Sequence, residues 1–199
     1  MLKFPFRTLA MIATYAFTAT HGQAAGPGEL ARGLAPGLSD SFIRERAPTL
    51  APFAHVRFCV KNPSECQASE AEVSEVATPS MEEELVAVNR AINRRVKQIK
   101  DNTDDFGDSW KVAQNAGDCE DIALAKRKEL ISKGWPSRAL RIAVTKTRGG
   151  EGHAVLVVRT SQGDLVLDNR HDGVKMWKST DLTWLKIQSA ENPRLWLAL

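Results

Sequence analysis

One cysteine of this sequence stands apart from the other two. Cys119 lies in Gly117-Asp118-Cys119-Glu120-Asp121, immediately before a stretch that reads as a helix. A thiol at a helix start meets the positive end of the dipole and unpaired backbone N–H groups, which favour thiolate and can stabilise an oxyanion. Thirty-four residues later, Gly149-Gly150-Glu151-Gly152-His153 brings a histidine to the mouth of a strand, and fifteen further on Leu165-Val166-Leu167-Asp168 ends the next strand on a carboxylate. Cysteine, histidine and aspartate could act as nucleophile, base and the group that orients the base. The same residues also read as a core thiol, a strand-end polar group and an ordinary turn, and spacing alone does not separate the two readings.

The partner of His153 depends on the hairpin between the two strands. A tip at Thr160-Ser161 sets Asp168 opposite His153, whereas a tip at Gln162-Gly163 sets Asp172 there. Turn preference favours the glycine-containing tip, so Asp172 competes with Asp168 on this ground.

The elements that must position these groups are helical first and extended later. Leu85, Val88, Ile92, Val96 and Ile99 recur at steps of three and four, which predicts a helix from about Met81 to Lys100, with Ser80 and Glu83 as a capping box. Asn89 and Asn93 sit beside that stripe and read as helix-packing polar groups. A second helix is expected from Asp118 or Cys119 to just before Gly134. Phe53 to Val60, Leu140 to Thr145, Ala154 to Thr160 and Leu165 to Leu167 read as short strands. Helices followed by strands favour an α+β fold over alternating βαβ units.

The first 24 residues carry Lys3 and Arg7, an apolar run around Leu9 to Phe17, and a small-x-small site at Gly22-Gln23-Ala24, the pattern of a secretory signal peptide. The apolar run is about a dozen residues, short of the roughly 20 that span a bilayer. Cleavage after Ala24 would leave 25 Lys+Arg against 24 Asp+Glu, because two of the 27 basic residues go with the signal. The remaining basic residues are scattered among acids, which gives no clustered face for nucleic acid. Residues 25–52, rich in Gly and Pro, read as an arm or linker, and 53–199 as the domain proper.

Export places the cysteines in an oxidising compartment, where Cys59 and Cys66, close together around Asn62-Pro63, are expected to pair and leave Cys119 free. His21, His55 and His171 show no metal-ligand spacing with one another or with a cysteine pair, so no zinc site is expected. The tryptophans read as core or groove aromatics, with Trp110 a candidate to line a cleft. The Gly149-Gly150 loop lacks the lysine and hydroxyl residue of a phosphate-binding loop.

GDCEDIALAKRKELISKGWPSRALRIAV, then GEGHAVLVV and GDLVLDN, resembles the bacterial transglutaminase-like cysteine peptidases, a family that includes periplasmic proteases releasing biofilm adhesins. FCVKNPSEC, LVAVNRAINRRV and Asp108-Ser109-Trp110 extend the resemblance over roughly Phe53 to Leu197. It implies a papain-like or transglutaminase-like α+β core, with the nucleophile at the N-terminus of a helix packed on an antiparallel sheet. It also implies Cys119 as nucleophile, His153 as base and Asp168, rather than Asp172, as the acid.

The activity so implied is hydrolysis of a peptide bond in a protein or peptide substrate, such as a cell-surface adhesin, by a periplasmic or secreted enzyme. Transfer of the acyl group to an amine, and a non-catalytic binding module, are the alternatives. The adhesin-releasing relatives depend on calcium, and the resemblance implies Asp118 and Glu120 as its ligands; because calcium takes 6 to 8 oxygens, backbone carbonyls, waters or Asp121 would supply the rest. The plain alternative is that these acids complement the helix dipole and face solvent.

Overall fold

A computed structural model of the chain describes residues 41–67, 73–76, 82–100 and 108–199. The expected signal peptide over 1–24, most of the expected arm and Ser80 of the expected capping box lie outside these residues.

Three helices and nine strands make the described part. Helix α1 is Phe53–Lys61, α2 is Glu82–Arg95 and α3 is Cys119–Ser132; the strands are β1 Pro48–Thr49, β2 Lys97–Gln98, β3 Ala116–Gly117, β4 Leu140–Lys146, β5 Gly152–Thr160, β6 Gly163–Leu167, β7 Lys175–Met176, β8 Thr183–Gln188 and β9 Trp196–Ala198. Seven of the strands form one antiparallel sheet in the order β1-β9-β8-β4-β5-β6-β7, and β2 pairs with β3 in parallel. This is the α+β arrangement expected from the sequence.

Alternation along the central strands sorts side chains to the two faces of the sheet. Leu140, Ile142, Leu156, Val158 and Leu167 meet the helices in one core, while Ala143, Val155, Val157, Val166 and Ile187 meet Trp177, Trp184 and Leu197 on the other face. Such two-sided burial explains why β5 reads as a nearly continuous apolar run. Helix α3 runs across the helix-side face, where Ile122, Ala123, Leu124, Ala125 and Leu130 are all buried. It ends at Lys133, and Gly134 follows with φ +92°, the left-handed conformation expected of that glycine.

Two elements differ from the sequence reading. Phe53–Lys61 is a helix and not a strand, and its buried residues are His55, Phe58 and Cys59 while Val56 and Val60 face outward. The inward face is chosen by a polar cluster: Cys59 is bridged to Cys66, and His55 touches both sulfurs. Helix α2 stops at Arg95, about a turn before Lys100, because Lys97 and Gln98 leave to pair with Ala116 and Gly117. Ile99 is consequently exposed, although Val96 stays in the core.

The described residues of the arm run against the sheet. Ile43 is buried, its N–H donates to Asp164 Oδ2 at 2.7 Å, and Glu45 joins Arg141 and Arg159 in an ion-pair cluster with Asp164. Pro48 and Thr49 then pair with Leu197 and Trp196.

Candidate active site

The segment ahead of Cys119 is pinned from both sides. Ile99 N–H donates to the Gly117 carbonyl at 3.0 Å, and a side chain on Gly117 would come within 2.7 Å of the Asp121 Cβ. Glycine is therefore required by close packing at the start of α3. Cys119 is half-buried and is the free cysteine of the chain, as expected.

The acids around it are not solvated helix-start carboxylates. Glu120 is 5% exposed and Asp121 is 0% exposed. Asp121 faces away from the others: it accepts from the Lys111 N–H at 2.8 Å and pairs with Lys111 Nζ at 2.8 Å. Asp118, the residue before the helix, makes no capping bond to it. Its carboxylate instead gathers with those of Asp108 and Glu120, one oxygen from each lying within 4.8 Å of the others.

Burial, a hydrogen bond with Asp108 and the charge of Asp118 together push the Glu120 carboxyl up to about 9. That is the response of carboxylates crowded together in a desolvated place. An all-oxygen donor set of this kind suits a hard divalent cation such as calcium and not zinc. Asp108 thus joins Asp118 and Glu120 in this cluster, and Asp121, one of the further donors considered from the sequence, does not. Its one sequence signal is the Asp108-Ser109-Trp110 string, whose indole Nε1 donates to Asp108 Oδ2 at 3.0 Å.

His153 opens β5 and is buried. Its Nε2 lies 2.9 Å from Asp168 Oδ1. The hairpin register is neither of those expected: Thr160 pairs with Gly163, so the tip is Ser161-Gln162, and the ladder ends at Leu156↔Leu167. Asp168 reaches His153 from the first residue beyond the paired strand. Asp172 turns instead to α2, where Arg94 Nη2 approaches at 3.3 Å and Arg90 Nε at 3.8 Å.

Asn89 and Asn93 hold the loop that follows β6. Asn93 Nδ2 donates to the carbonyls of Asp168 and His171, and Asn89 Nδ2 to those of His171 and Asp172, all within 2.8–3.1 Å. They are packing groups with a definite task, which is to fix the backbone that carries Asp168. Arg170, missed in the sequence, contacts the Asp168 carboxylate with both Nε and Nη2. Burial alone would raise the Asp168 pKa, but the hydrogen bonds from His153 and Arg170 hold it well below the carboxylate range.

Cys119 and His153 line one cleft of about 530 Å³, together with Pro52, Trp110, Val144 and Arg170. Burial, the Glu120 charge and the Sγ–Glu120 hydrogen bond raise the thiol pKa, while a backbone hydrogen bond from Ala154 works the other way. The two sulfurs beside His55 are joined to each other as a disulfide.

A profile of the bacterial transglutaminase-like cysteine proteinases matches residues 45–199. The chain belongs to this family. It is a transglutaminase-like cysteine peptidase, and its substrate is accordingly a protein. Among solved structures, Legionella pneumophila LapG in its calcium-bound form is 27% identical with a TM-score of 0.50, covering 61% of this chain and 71% of that one. A second Legionella pneumophila LapG structure is 26% identical, covering 74% of this chain and 79% of that one, with a TM-score of 0.48. No curated protein matches the sequence. No helix of the described residues is long and apolar enough to cross a membrane.

Proposed function

We propose that this peptidase hydrolyses a peptide bond through an acyl-enzyme formed on Cys119. The observation that carries the reading is the 2.9 Å contact of His153 Nε2 with Asp168 Oδ1, at the wall of the cleft that Cys119 also lines. An Nε2–H donated to Asp168 leaves Nδ1 as the basic nitrogen of the ring. Nδ1 then takes the proton from Sγ as the sulfur attacks the substrate carbonyl carbon. The negative oxygen that develops is stabilised by backbone N–H groups at the start of α3. Collapse of the tetrahedral species breaks the C–N bond, and the imidazolium gives its proton to the departing amine. Water, deprotonated by the same ring, releases the acyl group and restores the thiol.

Asp108, Asp118 and Glu120 are the residues that would hold calcium. Its charge, when bound, would displace the proton on Glu120 and offset the field that keeps Cys119 protonated. The calcium-bound LapG structure and the oxygen donor set support this assignment. The resemblance to adhesin-releasing proteases and the signal-like first 24 residues support action in the periplasm on a cell-surface protein.

A peptidyl probe with a thiol-reactive end tests the reading. It should label Cys119 in the folded protein, and label neither His153→Ala at a comparable rate nor the heat-unfolded chain selectively. Equal labelling of His153→Ala would defeat the triad. Adding a primary amine to the turnover mixture separates hydrolysis from acyl transfer, since only transfer leaves the amine covalently attached to a glutamine of the substrate.

A further inference from the structure

Asp168 stands where the sheet no longer controls the chain. The β5–β6 ladder ends at Leu156↔Leu167, so no strand pairing fixes the direction of its carboxylate. Helix α2 holds the Asp168 backbone through Asn93, but a bond to the carbonyl leaves the side chain free to rotate. Some other contact must aim Oδ1 at the imidazole.

Arg170 supplies that contact in three ways. Its backbone N–H donates to Asp168 Oδ1 at 2.9 Å, its Nε lies 3.0 Å from Oδ2, and its Nη2 lies 2.8 Å from Oδ2. The guanidinium is itself anchored on the far side, where Nη2 and Nη1 reach the two oxygens of Asp181 at 2.7 and 3.2 Å. A planar fork held at both ends restricts the carboxylate in a way that a single charge cannot. Lys126, buried on α3, also sends positive charge toward Asp168, but no hydrogen bond to it directs the oxygens.

We propose that Arg170, braced by Asp181, is the positioning residue that holds Asp168 in its bond to His153. This rests on the reading of Asp168 as the group that orients the base. The chain His153–Asp168–Arg170–Asp181 then runs from the cleft to the segment before β8, and the imidazole owes its tautomer to a residue two positions beyond the acid. Arg170 also lines the cleft, but the proposed role is exerted through Asp168.

The test combines histidine NMR with thiol chemistry on the full mature chain in the presence of calcium. In protein labelled with ¹⁵N-histidine, the Nε2–H resonance of His153 is assigned by its loss in His153→Ala. The rate of Cys119 alkylation by iodoacetamide is measured on the same samples. Arg170→Gln should weaken or abolish the Nε2–H signal and slow alkylation by about tenfold, the scale expected when a reacting group is misplaced. Arg170→Lys, which keeps the charge and loses the fork, should fall between the two.

Native signal and an alkylation rate within about twofold of wild type in Arg170→Gln would overturn the proposal. If that variant does not fold, Asp181→Asn takes its place, because it removes the brace and leaves the Asp168 contacts to form unaided; an unchanged signal there, with Arg170→Lys also native, would overturn it equally. Asp168→Asn and His153→Ala separate the two readings. If neither slows alkylation, the triad itself fails; if both do and Arg170→Gln does not, only the positioning role fails.

Discussion

Cys119 Sγ donates to Glu120 Oε2 across 3.1 Å, so the proposed nucleophile is bonded to its own sequence neighbour. Calcium held by Glu120 would draw that carboxylate away from the thiol, so turnover should depend on the ion. Chelation should reduce activity at least tenfold, and restored calcium should recover it together with a rise in melting temperature. Asp108→Asn should weaken calcium binding by about tenfold, a residue-specific loss that titration calorimetry would read. Full activity in chelator with no thermal shift would sink the assignment.

Cys119→Ala and His153→Ala should each lower kcat by at least about 10⁴-fold with melting temperatures close to wild type. Asp168→Asn should cost about a thousandfold or more, because an amide favours the wrong tautomer of the ring. Asp172→Asn should stay within about twofold, since the Asp172 carboxylate meets Arg90 and Arg94 near the surface. Steady-state kinetics on a cleaved protein substrate would check all four.

His55 should make the fold sensitive to mild acid. Burial, then the charges of Arg127 and Arg194, bring its pKa down from 6.5 to about 4. The unfolded chain binds this proton below about 6.5 and the native chain only below about 4, so stability falls as pH drops through that window and is fully present above it. The contribution is on the order of 3 kcal/mol. Urea titrations at several pH values should show the slope in wild type and a shallower one in His55→Gln; equal slopes would exclude His55 as its source.

Removing the Cys59–Cys66 bridge should cost about 2.5 kcal/mol for so short a loop. Because His55 lies against both sulfurs and stacks edge-on with Trp110 at 5.3 Å, the loss should also disturb the cleft wall. Denaturant midpoints and Trp fluorescence of Cys59→Ala/Cys66→Ala would show both effects.

Gly117→Ala should damage activity more than its size suggests. The added methyl would meet the Asp121 Cβ at 2.7 Å and Oδ2 at 2.8 Å, both in the first turn of the nucleophile helix. A loss of about tenfold or more in kcat/KM with retained secondary structure is expected, read by kinetics and circular dichroism.

The nucleophile helix and the central strands were legible because their signals are local. A Gly-Asp-Cys start, a glycine just beyond the end and β-branched runs of five to nine residues each carry their own boundary. Helix α1 was misread because its core face is built by His55 and Cys59, which hydrophobicity does not rank above Val56 and Val60. Trp196 Nε1, donating to His55 Nδ1 at 3.2 Å, and the disulfide make that polar face an inner one, and both contacts need residues distant from or outside the helix. The acid was recoverable only through resemblance, since the tip at Ser161-Gln162 lies between the two turns considered and strand register does not aim Asp168. Asp108 and Arg170 gave no spacing signal because charge crowding and carboxylate sharing are properties of the folded cleft.

The pairing of β1 with β9 joins residues 48–49 to 196–197, and Trp196 also meets Trp110 and His55 edge-on. Trp110, which lines the cleft, is thus backed by a pairing of segments far apart in sequence, and bringing them together carries a large loop entropy that must be met before the contacts form. A chain emerging N-terminus first has its Cys119 long before it has that pairing. The backing of Trp110 is therefore expected to form only after the chain has been made as far as Leu197.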